Sequence, residues 1–546
     1  MLLFAVLLSY GFLATPAEAQ LTEAQKSTLD QLKKLTPQFE SGAFRIIMTR
    51  CANDWSAYRF NAQTGETWWP DTEKDPVWVW KKMTDDDTLP VSDYDVQGVF
   101  LLHNDKKFEE VVRIDRRSGR SWQLRSGKWH EFDEGPEFAQ STPPQSGFQL
   151  QIVASATHWC VFRFNPENGE TWTIPPKVLR RVWQKVPDPQ PLPAGDYALQ
   201  GIFDKDGDSG EASVFRIDRR NGRTWIAFDN WTVFGETSGF TGVPGPVDGY
   251  RLTMHATPAF WNIYRFNPET GSTWLPYTED GKTAWQWIAD RSGLFRGDYE
   301  VRVVHWVEDE RLKYGVVRIE RKTGRLWFCW DDSTWDEVAE ESDFANREVP
   351  RDGYRLVTAN SKLDWYALRY NPENGETWAA DKQDDQWVAA RWVDRLGLPN
   401  TGHEVGMVAF VDQGQGTENV YRLDIRTGSA QVYNQKWQPI ESEKVPLLMP
   451  PKPGYQLYLC AQPSGCQPFR FDSKTGAAWT PTPDQVMTWG RIVDPVKLSD
   501  DNYQLNAVSW LGSDKATYTA VLRTSLTTGR SWYVRGLRWF PIHEPQ

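Results

Sequence analysis

The chain has 546 residues, of which 40% are apolar and 25% are charged, and its formal net charge is −12. Phosphate groups bind to basic surfaces, so this charge disfavours nucleic acid and anionic lipid as partners. The 30 Trp, 40 Gly and 35 Pro indicate strands and turns rather than helices. The sequence lacks the Gly-x-Ser-x-Gly, His-Glu-x-x-His and phosphate-loop motifs, and we expect no catalytic residues, no metal and no cofactor.

The N-terminus resembles an export signal. Residues 1–19 contain a long apolar run followed by a small-residue site that ends at Ala19, although no basic residue precedes the run. This pattern predicts a cleaved signal peptide, and the apolar run is too short for a transmembrane helix. Residues 20–41 are predicted to form a short helix and a linker. We therefore expect an exported protein, periplasmic or extracellular, without a transmembrane segment.

Residues 42–546 contain ten copies of one short motif. Each copy has an apolar-Arg-apolar-Asn/Asp run, then a turn with a glycine, then in most copies a Trp three residues after the glycine. The run alternates with period two, as a strand does, and Asn or Asp opens a turn that glycine completes with positive φ. Each copy is therefore predicted to be a β-hairpin. The ten glycines are Gly65, Gly119, Gly169, Gly222, Gly271, Gly324, Gly375, Gly428, Gly476 and Gly529.

The copies alternate in type. Odd copies favour Asn-Pro-Glu-x-Gly-Glu-Thr-Trp, and even copies favour Asp-Arg-Arg-x-Gly-Arg-x-Trp. Strand-like runs on both sides of each hairpin give four strands in roughly 50 residues, the size of one propeller blade. The full repeat is therefore a pair of about 104 residues that occurs five times.

The turn resembles the Asp-box of BNR-repeat propellers, which reads Ser-x-Asp-x-Gly-x-Thr-Trp. In residues 165–172 and 371–378, Gly, Thr and Trp match this pattern, while Asn replaces Ser and Glu replaces Asp. The resemblance implies an all-β, β-propeller-type array of ten four-stranded antiparallel units in five alternating pairs. One large ring, two five-bladed rings and five separate two-sheet domains all fit this array. In such propellers the box joins the outer two strands of a blade, so the Trp-bearing run after each box is expected to begin the next blade.

The residues repeated in every copy are interpreted as structural. The Arg of each copy lies two residues before the turn, where it can stack on the Trp of its own hairpin and bond to a neighbouring turn. A ring of ten arginines that binds anions is the alternative. The structural set in the odd copies comprises Arg59, Arg163, Arg265, Arg369, Gly65, Gly169, Gly271, Gly375, Trp68, Trp172, Trp274 and Trp378.

Candidate ligand-binding residues lie where the copies differ. Four odd copies carry a Trp at the tip of the preceding hairpin, namely Trp55, Trp159, Trp261 and Trp365. The ninth copy has Cys460 and Cys466 there, which are a candidate disulfide in an oxidising compartment.

These observations favour a non-enzymatic exported protein that uses a propeller surface to bind a protein complex or a polysaccharide. An Asp-box glycoside hydrolase or lyase is one alternative. A multivalent lectin with sites at the odd-copy Trp tips is another, and exposure of those Trp on one face would support it.

Overall fold

In a computed structural model of the chain, most of residues 43–544 are described. The predicted signal peptide and N-terminal helix lie outside the described residues. Within them there is no α-helix, a 3-10 turn lies at Phe138–Gln140, and no helix is long and apolar enough to cross a membrane. The gaps are residues 52–53, 72–76, 104–105, 155–158, 175–180, 205–210, 228–229, 237–244, 258–259, 280–281, 292, 294, 309–310, 331–333, 341–343, 345–346, 362–363, 384–385, 393–399, 413–414, 435, 443–453, 463–464, 483–487, 496–497, 513 and 515.

The described residues form ten four-stranded antiparallel blades, numbered in chain order. Blades 1 to 3 contain β1 Phe44–Cys51, β2 Asp54–Asn61, β3 Thr67–Asp71, β4 Val79–Lys82; β5 Tyr94–His103, β6 Lys106–Asp115, β7 Ser121–Arg125, β8 Lys128–Glu131; β10 Gln149–Ala154, β11 Trp159–Phe164, β12 Thr171–Thr173 and β13 Val182–Lys185. Blades 4 to 6 contain β14 Tyr197–Asp204, β15 Glu211–Asp218, β16 Thr224–Ala227, β17 Trp231–Val233; β19 Arg251–Thr257, β20 Phe260–Phe266, β21 Thr273–Glu279, β22 Lys282–Trp287; β24 Tyr299–Glu308, β25 Arg311–Glu320, β26 Leu326–Trp330 and β27 Thr334–Glu337. Blades 7 to 10 contain β29 Arg355–Asn360, β30 Trp365–Tyr370, β31 Thr377–Gln383, β32 Gln386–Arg391; β33 His403–Asp412, β34 Gln415–Asp424, β35 Ala430–Asn434, β36 Lys436–Ser442; β37 Tyr455–Gln462, β38 Gly465–Asp472, β39 Ala478–Pro481, β40 Thr488–Arg491; β41 Tyr503–Leu511, β42 Thr517–Ser525, β43 Ser531–Arg535 and β44 Arg538–Ile542.

The strands of each blade follow one another in chain order, and the glycine turn joins the second strand to the third. The expectation that each following Trp run begins the next blade is wrong. That run is the fourth strand of the same blade, as the pairing of Trp68 with Lys82 shows. A short hairpin makes this pairing local, so it forms without a crossover between blades. In blade 1 the buried Trp of this strand is Trp80.

The ten blades form one closed ring, with the first strands innermost. Several blades end in a short tail that pairs in parallel with the fourth strand of the next blade, as in β9 Asp133–Glu134, β18 Gly235–Glu236, β23 Ala289–Asp290 and β28 Ala339–Glu340. The tail of blade 10 does the same to blade 1, because His543 bridges to Val79. The ring is therefore closed by the same contact that joins its other blades.

The apolar core is divided among the ten junctions between blades. Each junction contains its own cluster of buried side chains, which combines one face of a blade with the facing side of the next. The junction between blades 10 and 1 joins Ile46 and Trp80 to Leu522 and Ile542. No blade buries both faces alone, which is why the repeats need one another.

Candidate functional site

The repeated arginines each connect two blades. Nη1 of each donates to the turn-glycine carbonyl of the preceding blade at 2.6–3.1 Å. In Arg59 this bond reaches Gly529 of blade 10 and closes the ring. These inter-blade arginines are Arg59, Arg113, Arg163, Arg216, Arg265, Arg318, Arg369, Arg422, Arg470 and Arg523. All are at most 5% exposed, so they face the junctions rather than the solvent.

Among the residues that the structure describes, eight inter-blade arginines pair with a carboxylate in the tail of the preceding blade. The partner is Asp after an odd blade and Glu after an even one, so the alternation of the copies continues into the ion pairs. The carboxylates are Asp85, Glu134, Asp188, Glu236, Asp290, Glu340, Asp494 and Glu544.

Each guanidinium also lies against aromatic rings of its own blade. The Cζ atom of Arg318 is 4.6 Å from the ring of Trp327 and 4.3 Å from that of Trp335. Such contacts add cation–π attraction to the charge pairing around a buried guanidinium. The repeated Arg, Gly and Trp therefore hold neighbouring blades together at a fixed distance.

The junction between blades 8 and 9 departs from this pattern. In blades 3 and 5, the tail residue that pairs with the Trp of the fourth strand is a glutamate, Glu134 or Glu236. In blade 9 the residue at this position is Ser442, which pairs with Trp489. Burial lowers the pKa of Arg470 in blade 9 to about 10. This junction thus lacks the tail carboxylate at its usual register position.

The odd-copy tryptophans occupy different surroundings. Trp365 is 8% exposed and stacks on Phe328 at 4.7 Å, so its faces are covered by protein. Trp159 is partly buried beneath the guanidinium of Arg181. Trp55 is partly buried in a group of aromatic rings between blades 10 and 1. The side chain of Trp261 lies outside the described residues.

Cys460 and Cys466 are free thiols in the structure. Their strands place Cys466 opposite Ala461, one residue from Cys460. Burial, followed by the neighbouring Cys460, raises the pKa of Cys466 to about 12, which disfavours the thiolate.

The clearest candidate binding surface lies between blades 10 and 1, on the face of the ring that carries the turns between first and second strands. We call this face the tip face, and we call the group of rings the aromatic junction. Its members form a continuous chain of ring contacts from 3.8 to 6.0 Å. In contact order they are Tyr518, Trp510, Trp55, Trp78, Tyr533 and Phe540.

Five of these six rings remain accessible. Tyr518 is 44% exposed, and Trp510, Trp55, Trp78 and Phe540 are partly exposed, while Tyr533 is buried beneath Trp78. The cross-strand pairing of Trp510 with Tyr518 places these two rings side by side. A group of partly exposed aromatic rings in contact with one another is typical of binding surfaces.

Polar groups border the aromatic junction. Asp514 accepts a hydrogen bond from the Tyr518 hydroxyl at 2.7 Å, which lowers the pKa of Asp514 and raises that of Tyr518. Asp54 accepts from the backbone N–H of Trp55. The exposed Arg50 donates to the Ser509 carbonyl at 2.8 Å.

The same position between blades 6 and 7 is closed. There Trp306, Trp330 and Phe328 surround Trp365, and Trp306 is only 8% exposed. By strand register Trp306 corresponds to Trp510 and Phe328 to Tyr533. Two equivalent positions thus hold similar aromatic residues, and the one between blades 10 and 1 is open.

Sequence reasoning identified Trp55 but missed Trp510 and Tyr518. The candidate tips were sought only among the odd copies, whereas these two residues lie in the tenth. The available signal was the pair of large aromatic side chains at the first hairpin of this even copy, a position where the sixth copy also has a Trp.

No protein-family model and no curated protein matches the chain. Solved structures similar to it include a fucose-specific lectin from Aleuria aurantia, which is 12% identical, with 56% of this chain and 96% of the lectin covered and a TM-score of 0.25. YCF48 from Cyanidioschyzon merolae is 12% identical over 69% of this chain and 92% of its own, with a TM-score of 0.30. AofleA from Arthrobotrys oligospora is 12% identical over 54% and 87%, with a TM-score of 0.26. The fold assignment therefore stands on the strand pairing and ring closure of this chain itself.

Proposed function

We propose that the protein is a non-enzymatic, exported binding protein and that the aromatic junction binds a polysaccharide. The observation that carries this proposal is the row of accessible rings formed by Tyr518, Trp510, Trp55 and Trp78. Sugar rings present flat C–H faces that pack on aromatic side chains, and their hydroxyls need donors and acceptors nearby.

The surrounding charges suit a neutral or weakly charged glycan. The carboxylates of Asp54 and Asp514 accept hydrogen bonds from hydroxyl groups, and the guanidinium of Arg50 donates them. Because Tyr518, Trp510, Trp55 and Trp78 contact one another in turn and are all accessible, they fit several consecutive sugar units of an extended chain rather than one terminal sugar.

The test uses the purified chain on an array of polysaccharides and then titration calorimetry with the best ligand. Tyr518→Ala is expected to weaken binding at least tenfold, since Tyr518 is the most exposed ring of the row and truncating an aromatic binding contact costs about 2 kcal/mol. Tyr277→Ala is the matched control, because Tyr277 has a similar exposure of 47% in blade 5. Equal losses from the two variants would refute the assignment of the site.

A protein partner is the other outcome of the same test. If no glycan binds and a polypeptide is displaced by Tyr518→Ala, the surface is correct and the ligand class is wrong. Export is tested separately by expressing the full chain and sequencing the N-terminus of the recovered protein, which is expected to begin at Gln20. A retained residue 1–19 segment would contradict export by a cleaved signal.

A further inference from the structure

Two histidines contact each other across the junction between blades 5 and 6. The ring centroids of His255 in β19 and His305 in β24 are 3.9 Å apart, and 23° separates the ring planes. Both residues belong to the first, innermost strands of their blades and lie on the side of the tip face. They come from different repeats, so no local spacing in the sequence predicts that they meet.

The contact between these two positions is a feature of the fold. By strand register the counterparts of the two histidines between blades 9 and 10 are Cys460 and Ser509. The Sγ atom of Cys460 and the Oγ atom of Ser509 are 3.0 Å apart. The other nine junctions have no histidine at either position. The fold therefore provides a pair of facing side chains at each junction, and between blades 5 and 6 both are imidazoles.

The imidazole nitrogens have lone pairs to offer. The Nε2 atom of His255 and the Nδ1 atom of His305 are each buried and form no hydrogen bond with any residue that the structure describes. A buried polar atom without a partner is costly, and a bound ion is one way to satisfy it. Two imidazolium charges in stacked rings would repel each other, so the stack favours neutral rings. The neutral ring is the form of histidine that binds metal ions.

The chemistry of the pair selects the kind of metal. Bonds from a metal to imidazole nitrogen are about 2.0–2.1 Å long, so one ion can bind two nitrogens up to about 4 Å apart. Rings stacked at 3.9 Å meet this limit with at most a small rotation of each side chain. Structural zinc sites use four protein ligands, whereas Cu²⁺ accepts a tetragonal set of nitrogen and oxygen ligands that water can complete. Cu²⁺ is also the tightest binder of the divalent first-row series.

We propose that His255 and His305 together bind one divalent late transition metal ion, Cu²⁺ most tightly, and that this ion joins blade 5 to blade 6. The junction is five blades away from the ring closure in either direction. The ion therefore holds the two halves of the ring together at the point farthest from the contact between blades 10 and 1. The site shares no residue with the aromatic junction, so it is independent of the function proposed above.

The test titrates Cu²⁺ alone into the full chain after treatment with a chelator, followed by calorimetry. His255→Gln and His305→Gln are each expected to weaken binding at this site by about tenfold or more, because each removes one of the two ligands. His130→Gln is the control, since His130 is exposed in β8 and leaves the pair intact. Electron paramagnetic resonance of the Cu²⁺ complex is expected to show coupling to two imidazole nitrogens in the original chain and to one in each weakened variant. Zn²⁺ is expected to bind more weakly than Cu²⁺.

Hydrogen exchange locates the ion without any substitution. Cu²⁺ is expected to slow exchange in β19 and β24 more than in β5 and β10, the first strands of blades 2 and 3, because it links only the junction that it occupies. Circular dichroism melting without metal shows that each variant is folded. The proposal would be overturned if the original chain binds no Cu²⁺, if both histidine variants bind it as tightly as the original, or if His130→Gln weakens binding equally.

Discussion

The inter-blade arginine of blade 6 offers the sharpest test of how the ring is held together. Arg318 is fully buried, Asp290 is 3% exposed in its side chain, and their atoms lie 2.7 and 3.0 Å apart in two hydrogen bonds. Arg318→Ala leaves Asp290 charged and buried, leaves the Gly271 carbonyl without this donor and opens a cavity beside Trp327 and Trp335. Removing one partner of a buried pair costs about 3–5 kcal/mol, and we expect about 4 kcal/mol here.

The matched comparison is at the ring closure. Glu544, the partner of Arg59, is 52% exposed in its side chain, so solvent weakens the attraction between the two charges. Glu544→Gln is expected to cost at most about 1 kcal/mol, and Asp290→Asn about 3 kcal/mol. The assay is urea unfolding followed by Trp fluorescence, with hydrogen exchange of β25 as a local readout. Equal losses of unfolding free energy for Asp290→Asn and Glu544→Gln would show that burial does not determine how much these ion pairs contribute to stability.

The remaining predictions concern the turns and pH. Gly169→Ala is expected to cost about 3 kcal/mol, because φ is +74° and a Cβ would lie 2.8 Å from Leu192 and 3.0 Å from Tyr197. Gly127 has a similar φ of +77°, but a Cβ added there would have no atom within 4 Å, so Gly127→Ala is expected to cost about 1 kcal/mol. Equal urea midpoints for the two variants would contradict the steric argument. Burial and the stacked ring of His255 lower the pKa of His305 to about 4. The folded state therefore favours the neutral ring, and stability is lost as pH falls from about 6.5 towards 4. His305→Gln is expected to reduce the drop in melting temperature between pH 7 and pH 4.5, and an unchanged drop would assign it to other groups.

The hairpins and their number could be predicted because their determinants are local. The glycine of each turn needs positive φ, as Gly169 does at +74°, and the adjacent strand alternates with period two. Which blade the fourth strand belongs to could not be predicted in this way. A Trp-bearing run pairs equally well with the strand before it or with the next blade, and only the short hairpin decides between them.

The candidate site depended on contacts that no local pattern contains. Arg50 and Ser509 are 459 residues apart in the chain and meet only when the ring closes. Trp55 was identifiable as a tip residue, but the partners that make it part of an open surface come from the last blade. The difference between Trp55 and Trp365 is likewise set by neighbours, since Phe328 stacks on Trp365 whereas its equivalent, Tyr533, stacks on Trp78.

The direction of the arginine contacts has a consequence for how the protein matures. Every inter-blade arginine reaches back to a blade synthesised earlier, except Arg59, which must wait for Gly529 and Glu544 at the other end of the chain. The aromatic junction lies at this last contact. A chain that stops before blade 10 can assemble nine blades and still lack four of the six rings of the surface that we propose for ligand binding. On this proposal, ligand binding is restricted to chains whose synthesis and ring closure are complete.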